Sequence, residues 1–213
     1  MRGDRQRALA YLLERAGLKP SPAPARPSAG DVHASPIAHE MLEVYRALGG
    51  VNIAPAIRPG PWDLAFDGVA IELDEYLHFN RYRRRTLESP VYETLPRFPT
   101  EEYMALCEQF EPESLLHGKG QMRWSRSSSD TEFGGSSPPG DLSGAGPSRW
   151  KQRAFYDFVK DAGPLVLGIP VTRVAIWDTI EVAGAIRRVH EVLDQRDERA
   201  TDALASLIRN RIS

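Results

Sequence analysis

The sequence predicts a mixed α/β domain, an α-β-β-β-α-β core with flanking helices, and three observations predict it. Asp67-Gly68 stands between two apolar runs, Leu64–Phe66 and Val69–Leu73, the strongest short-range signal for a β-hairpin. Helical periodicity frames this hairpin on both sides, with Ile37, Met41, Val44, Tyr45 and Leu48 before it and Phe155, Phe158 and Val159 after it. The β-branched run Val171–Trp177 then supplies a late strand. Mixed order with a hairpin argues for a layered α/β domain rather than a doubly wound one.

Taken in order, residues 3–16 space Leu9, Leu12 and Leu13 as a helix that Gly17 ends. Residues 1–18 are expected as an N-terminal helical appendage, because the Pro-rich residues 19–34 follow as an extended linker. Ser35-Pro36 caps and opens the next helix, Gly49-Gly50 stops it, and Val51–Ile57 reads as a short strand. The main domain covers residues 35–195 with an insertion at about 88–148. Inside the insertion a helix runs from Pro99-Thr100 to about Phe110, and residues 117–148, rich in Gly, Ser and Pro, read as disordered. Arg149–Ala162 is helical and Gly163-Pro164 breaks it. Residues 179–194 and 197–210 read as closing helices, the second lying in a C-terminal segment at 196–213.

Composition narrows the function classes. The chain has 213 residues and a formal net charge of −2, so a nucleic-acid partner must be held by a local basic patch rather than a global field. The single cysteine, Cys107, excludes an intrachain disulfide and a cysteine-based zinc cluster. No apolar run approaches the roughly 20 residues that span a bilayer, and the first residues lack a signal-peptide core. A cytoplasmic location without a membrane partner is expected.

The hairpin carries the chemistry. If the chain turns at Asp67-Gly68, Leu64 faces Ile71 and Asp63 faces Glu72. Opposed residues share one face, and Asp74 joins Glu72 on it. Asp63, Glu72 and Asp74 therefore converge. Opposed like charges destabilise a sheet, and a divalent cation is the simplest group that neutralises them. A solvated outer face is the plain alternative for the same pattern.

The order of elements and these residues resemble the PD-(D/E)XK nuclease superfamily, the restriction-endonuclease-like fold, and look closest to its very-short-patch-repair-like branch and uncharacterised bacterial relatives. The resemblance covers roughly residues 36–180. The family places an Asp at the start of one strand, matched by Asp63. An acid, a spacer and a third polar residue follow on the next strand, matched by Glu72, Leu73 and Asp74. His78 follows as in this branch, and the next core helix carries Lys151, Arg153 and Asp157. The resemblance implies a Mg²⁺- or Mn²⁺-dependent endonuclease hydrolysing phosphodiester bonds, in DNA before RNA. Asp63, Glu72 and Asp74 would be its metal ligands, and Asp63, Glu72, Asp74, His78 and Lys151 its catalytic set. One departure stands out: the family's third residue is commonly Lys, and here it is Asp74. The basic role then passes to His78, Lys151 or Arg153.

Arg81, Arg83, Arg84 and Arg85, interleaved with Tyr76, Phe79 and Tyr82, are expected to contact backbone phosphates together with Lys151 and Arg153. Their plain alternative is a solvated helix face. His117, Lys119, Arg123, Arg126 and Arg149 flank the Gly/Ser-rich stretch; a plain disordered insertion is expected, with a mobile loop that orders on nucleic acid as the alternative. Two other classes stay open: a catalytically silent copy of the fold that binds nucleic acid or a protein, and a structural interaction protein.

Overall fold

The computed structural model describes residues 3–212; Met1, Arg2 and Ser213, at the ends of the predicted terminal helices, lie outside the described residues. The protein is mixed α/β. In chain order its elements are α1 (Asp4–Arg15), α2 (Ala29–Ala34), α3 (Ala38–Ala47), β1 (Leu64–Phe66), β2 (Val69–Asp74), α4 (Arg81–Leu87), α5 (Thr100–Gln109), α6 (Glu111–Gly118), α7 (Gln121–Trp124), α8 (Ser127–Phe133), α9 (Ser148–Asp161), α10 (Gly163–Leu167), β3 (Val171–Ala175), β4 (Thr179–Val182), β5 (Ala185–Arg188), α11 (Val189–Gln195) and α12 (Thr201–Asn210). The chain divides into two units. One is formed by the segments up to Ala25, Pro61–Glu75 and from Ile169 onward; the other is formed by Arg26–Gly60 and Tyr76–Gly168.

The first unit is built on a three-stranded sheet in the order β1-β2-β3. Asp67 and Gly68 both take left-handed φ, +49° and +80°, as a tight hairpin turn requires. The register is the predicted one, Leu64 opposite Ile71 and Phe66 opposite Val69. On its other side β2 pairs in parallel with β3, placing Glu72 beside Arg173 and Asp74 beside Ala175. α1 is no appendage. Leu9, Leu12 and Leu13 are fully buried, and the helix packs on α11 and α12. Arg5 fastens it by gripping both Asp194 carboxylate oxygens at 2.8 and 2.9 Å. The expected linker is also fixed in place. Lys19 accepts from the Asp67 amide at 2.9 Å and Ser21 donates to the Ala65 carbonyl at 3.0 Å, so this stretch covers the open edge of β1.

Residues 179–194 correct a second expectation. They form the β4–β5 hairpin before α11 begins. Ala183 and Gly184 turn it with φ of +52° and +79°, and the two-residue alternation of buried Ile180 and Val182 with exposed Thr179 and Glu181 is a strand pattern.

The second unit is helical and centred on α9, which packs against α3, α4, α7 and α8. Its core is aromatic: the Tyr45 ring lies 5.2 Å from Phe133 and 5.3 Å from Phe155. Val51–Ile57, expected as a strand, is irregular. Pro55 and Pro59 bring no N–H to a ladder, and the segment is held instead by Val51 N–H on the Glu132 carbonyl at 2.9 Å and by the Tyr156 hydroxyl on the Ala56 carbonyl at 3.2 Å. Residues 117–148, expected to be disordered, contain α7 and α8. Trp124 packs edge-on against Trp150 with ring centroids 5.5 Å apart. Asp130 accepts from the Ser148 hydroxyl at 2.6 Å and the Ser125 hydroxyl at 2.7 Å, which pins the stretch to the start of α9.

Glu132 is buried in this unit, where its carboxylate accepts from Gln152 at 3.3 Å and Tyr156 at 3.2 Å. Burial pushes its pKa above the ordinary 4.5, against the opposing pull of those bonds and of Arg58 and Arg149. The folded state therefore holds this proton more tightly than the unfolded state, so stability falls as pH rises from about 4.5 through the raised value. Glu132→Gln keeps an acceptor for Tyr156 and removes the charge. Its melting temperature should exceed that of the wild type above pH 6 and approach it near pH 4, which thermal unfolding across that range measures.

Candidate acidic site and the predicted cations

In the first unit the hairpin delivers its acids to one face. Asp63 immediately precedes β1, and backbone amides of the hairpin hold both its carboxylate and that of Glu72. The Asp63 amide donates to Glu72 Oε1 at 3.2 Å, and the Leu73 amide donates to Asp63 Oδ2 at 2.9 Å. Glu72 and Asp74 are both buried. The same face carries a residue not anticipated in this role. Arg173 stands beside Glu72 in the parallel register, and its guanidinium donates to Asp74 Oδ1 at 2.6 Å, both side chains 1% exposed. A second buried pair follows it: Arg211 grips Asp178 at 2.5 and 3.0 Å, and Asp178 also accepts from the Ala175 amide at 2.8 Å. Burial raises the Asp178 pKa while Arg211 pulls it down. The signal for Arg173 was present in the sequence as the one charged residue inside a β-branched strand, a position where a charge needs a partner.

In the second unit His78 ends a short 3₁₀ turn, Tyr76–His78, and its Nδ1 lies 2.8 Å from Asp157 Oδ2 on α9. A carboxylate at that distance selects the tautomer protonated on Nδ1 and makes Nε2 the basic nitrogen. Lys151 is half-buried with its Nζ 5.8 Å from the centroid of the Tyr82 ring, and burial lowers its pKa. Arg153 is half-buried on the same helix.

The arginines of α4 are not a bare basic patch. Arg83 is buried, donating to Asp161 at 2.6 Å and to the Tyr92 hydroxyl at 3.0 Å, so it holds the core together and does not face a phosphate. Arg81 forms a two-pronged pair with Glu111 at 2.8 and 2.7 Å. Arg84 pairs with Glu108 and Glu88, and Arg85 with Glu88, at 2.5 to 2.6 Å.

The acidic face of a mixed α/β unit thus sets the class: a fold that concentrates carboxylates on one hairpin and balances part of their charge from a neighbouring strand. Residues 43–195 match a model for a family of unknown function, DUF7255, and the chain belongs to that family. No curated protein and no solved structure matches it. Among the described residues no helix is long and apolar enough to cross a membrane.

The Asp74–Arg173 pair yields a stability test. Removing one partner of a buried ion pair leaves the other charge uncompensated and costs about 3–5 kcal/mol. Arg173→Met should lose that amount in urea unfolding. The double change Arg173→Met with Asp74→Leu should recover a large part of it, because it leaves no orphaned charge.

Proposed function

We propose that the protein is a metal-dependent phosphodiesterase of the restriction-endonuclease-like class, acting on nucleic acid. The observation that carries this reading is the pair of hydrogen bonds that Asp63 and Glu72 accept across the hairpin. These bonds fix both carboxylates against backbone amides of the hairpin, at the place where the resemblance puts metal ligands. The donor set fits the ion: carboxylate oxygens are hard donors suited to Mg²⁺ or Mn²⁺, and Mg²⁺ needs only one or two of them. Asp63 and Glu72 would hold it. When bound, such an ion supplies charge relief on the phosphoryl oxygens.

The chain's own residues divide the remaining tasks. Asp74, proposed from sequence as a third ligand, is engaged by Arg173 through Oδ1, and it is also one of the described residues whose carboxylate can offer a ligand atom. Arg173 contributes a fixed positive charge but cannot act as a base, since a guanidinium does not deprotonate. Proton transfer needs a titrating group, and the resemblance assigns that task to His78, whose Nδ1 lies 2.8 Å from Asp157 Oδ2. One observation favours the catalytically silent version of the same fold: the place where Lys is usual is occupied by an acid already bound to an arginine.

Plasmid cleavage in Mg²⁺ or Mn²⁺, paired with calorimetric titration of Mn²⁺, separates the readings. Asp63→Ala and Glu72→Ala should each weaken Mn²⁺ binding and lower cleavage by about 10²-fold or more. His78→Ala should leave Mn²⁺ affinity unchanged and lower cleavage by about 10²–10⁴-fold, the usual worth of a general base. Equal cleavage by all variants would sink the nuclease reading, and metal binding without cleavage would establish the silent one.

A further inference from the structure

Three cations that the second unit leaves exposed and without an ion pair lie in one short stretch. Between Ser114 and Ser129 the chain has Lys119, Arg123 and Arg126 and no acidic residue. All three are exposed. Among the described residues no carboxylate lies within ion-pair distance of any of them, whereas Arg81, Arg83, Arg84 and Arg85 of the same unit are all paired. Their only side-chain hydrogen bonds go to the local backbone: Arg123 donates to the His117 carbonyl at 2.8 Å and Arg126 to the Met122 carbonyl at 3.1 Å. Such bonds orient a guanidinium and leave its charge unbalanced.

The stretch is also anchored. Trp124 is buried against Trp150, and its indole N–H donates to the Ser137 carbonyl at 2.7 Å. Gly118 lies so close to the Trp150 ring that a Cβ there would overlap it, so any side chain would push the segment off its seat. These inward anchors turn the other side of the segment outward, and that side carries the cations together with Leu116 and Met122, which are 68% and 64% exposed.

From this we infer that residues 116–126 form the surface that grips the phosphate backbone of a nucleic acid, in place of the α4 arginines. The inference rests on the nucleic-acid substrate proposed above and names the part of the chain that holds it. Charge complementarity selects the partner. A polyphosphate chain offers repeated anionic oxygens to a row of unbalanced cations, and the release of condensed counterions drives the association. A lipid surface fits less well. The aromatic residue that would sit in a headgroup layer, Trp124, is turned inward, and only two apolar side chains are left to insert.

The test is salt-dependent binding of a fluorescein-labelled 20-nucleotide strand and a 20-base-pair duplex to the full chain in EDTA, read by anisotropy. Three phosphate contacts contribute roughly −2 to −3 to the slope of log affinity against log salt. K119Q/R123Q/R126Q should flatten the slope by that amount and weaken binding regardless of sequence. R84Q/R85Q should change it by less than about one. Circular dichroism melts confirm that both variants are folded. Unchanged binding in the triple variant, a loss confined to the α4 variant, or partition onto anionic vesicles without nucleic-acid binding would each overturn the inference. A parallel assay with bis(p-nitrophenyl) phosphate and Mn²⁺ separates it from the reading it rests on. Hydrolysis of that small ester without polynucleotide binding overturns the surface and spares the phosphodiesterase. Binding through these cations without hydrolysis keeps the surface and overturns the enzyme.

Discussion

Arg173 reaches Asp74 from a neighbouring strand, and the first unit is organised around that bond. Two charges that are almost fully enclosed are tolerated only because each compensates the other. That requirement fixes more than a contact. A one-residue slip of β2 against β3 would carry Glu72 and Asp74 to the opposite face and set Arg173 against apolar side chains. The parallel register is therefore specified electrostatically as well as by Ile71, Leu73 and Val174, which are buried. The second pair extends the constraint along the chain. Asp178, just past β3, is held by Arg211 beyond α12 and accepts from the Ala175 amide, while its own carbonyl accepts from Val189 at 2.9 Å. The strand, the start of α11 and the last described turn of the chain are tied to one another through the carboxylate and the backbone carbonyl of Asp178.

The same bond shapes what the acidic face can do. In the resemblance the third position is commonly a lysine, on the same strand as the second acid. Here the third position is an acid, and the cation comes from the adjacent strand at the level of Glu72. The exchange is not equivalent. A lysine can lose its proton when buried, whereas an arginine keeps its charge. Charge balance on the face is preserved and proton transfer is not, which is why the proposed chemistry needs a titrating group. On the proposed reading that group is His78, whose ring a carboxylate on Nδ1 orients.

The sequence displayed what is local and hid what is distant. The hairpin was legible because Asp67-Gly68 dictates left-handed backbone and because alternation assigns each side chain a face. α9 was legible from its 3.6-residue period. β4 and β5 were missed because strands of four residues give only a short alternation, which a continuous helix over 179–194 overrode although Ala183-Gly184 offered a turn between them. α1 looked detached because the Pro-rich stretch after it suggested a free spacer. Proline removes backbone donors but not acceptors, so Lys19 and Ser21 could still pair with the hairpin edge. Asp63 and Glu72 could be placed from a turn alone. Arg173, about a hundred residues further along the chain, could not, since a parallel crossover leaves no trace in local pattern.

The two basic segments of the second unit differ in a way that composition conceals. The run from Arg81 to Arg85 is followed by Glu88 at helical spacing, and i,i+3 and i,i+4 pairs form readily there. Glu108 and Glu111 from the neighbouring helices complete the neutralisation, and Arg83 spends its charge inside on Asp161. The Lys119–Arg126 stretch has fewer cations, and among the described residues none of them forms an ion pair. A charge meant only for solubility gains by pairing or by staying mobile. Three cations held on a segment anchored by two tryptophans, and left unbalanced, keep their field directed outward. The number of basic residues in a segment therefore says less about polyanion binding than the number whose charge the fold leaves unbalanced, and by that measure the proposal rests on the segment with fewer cations.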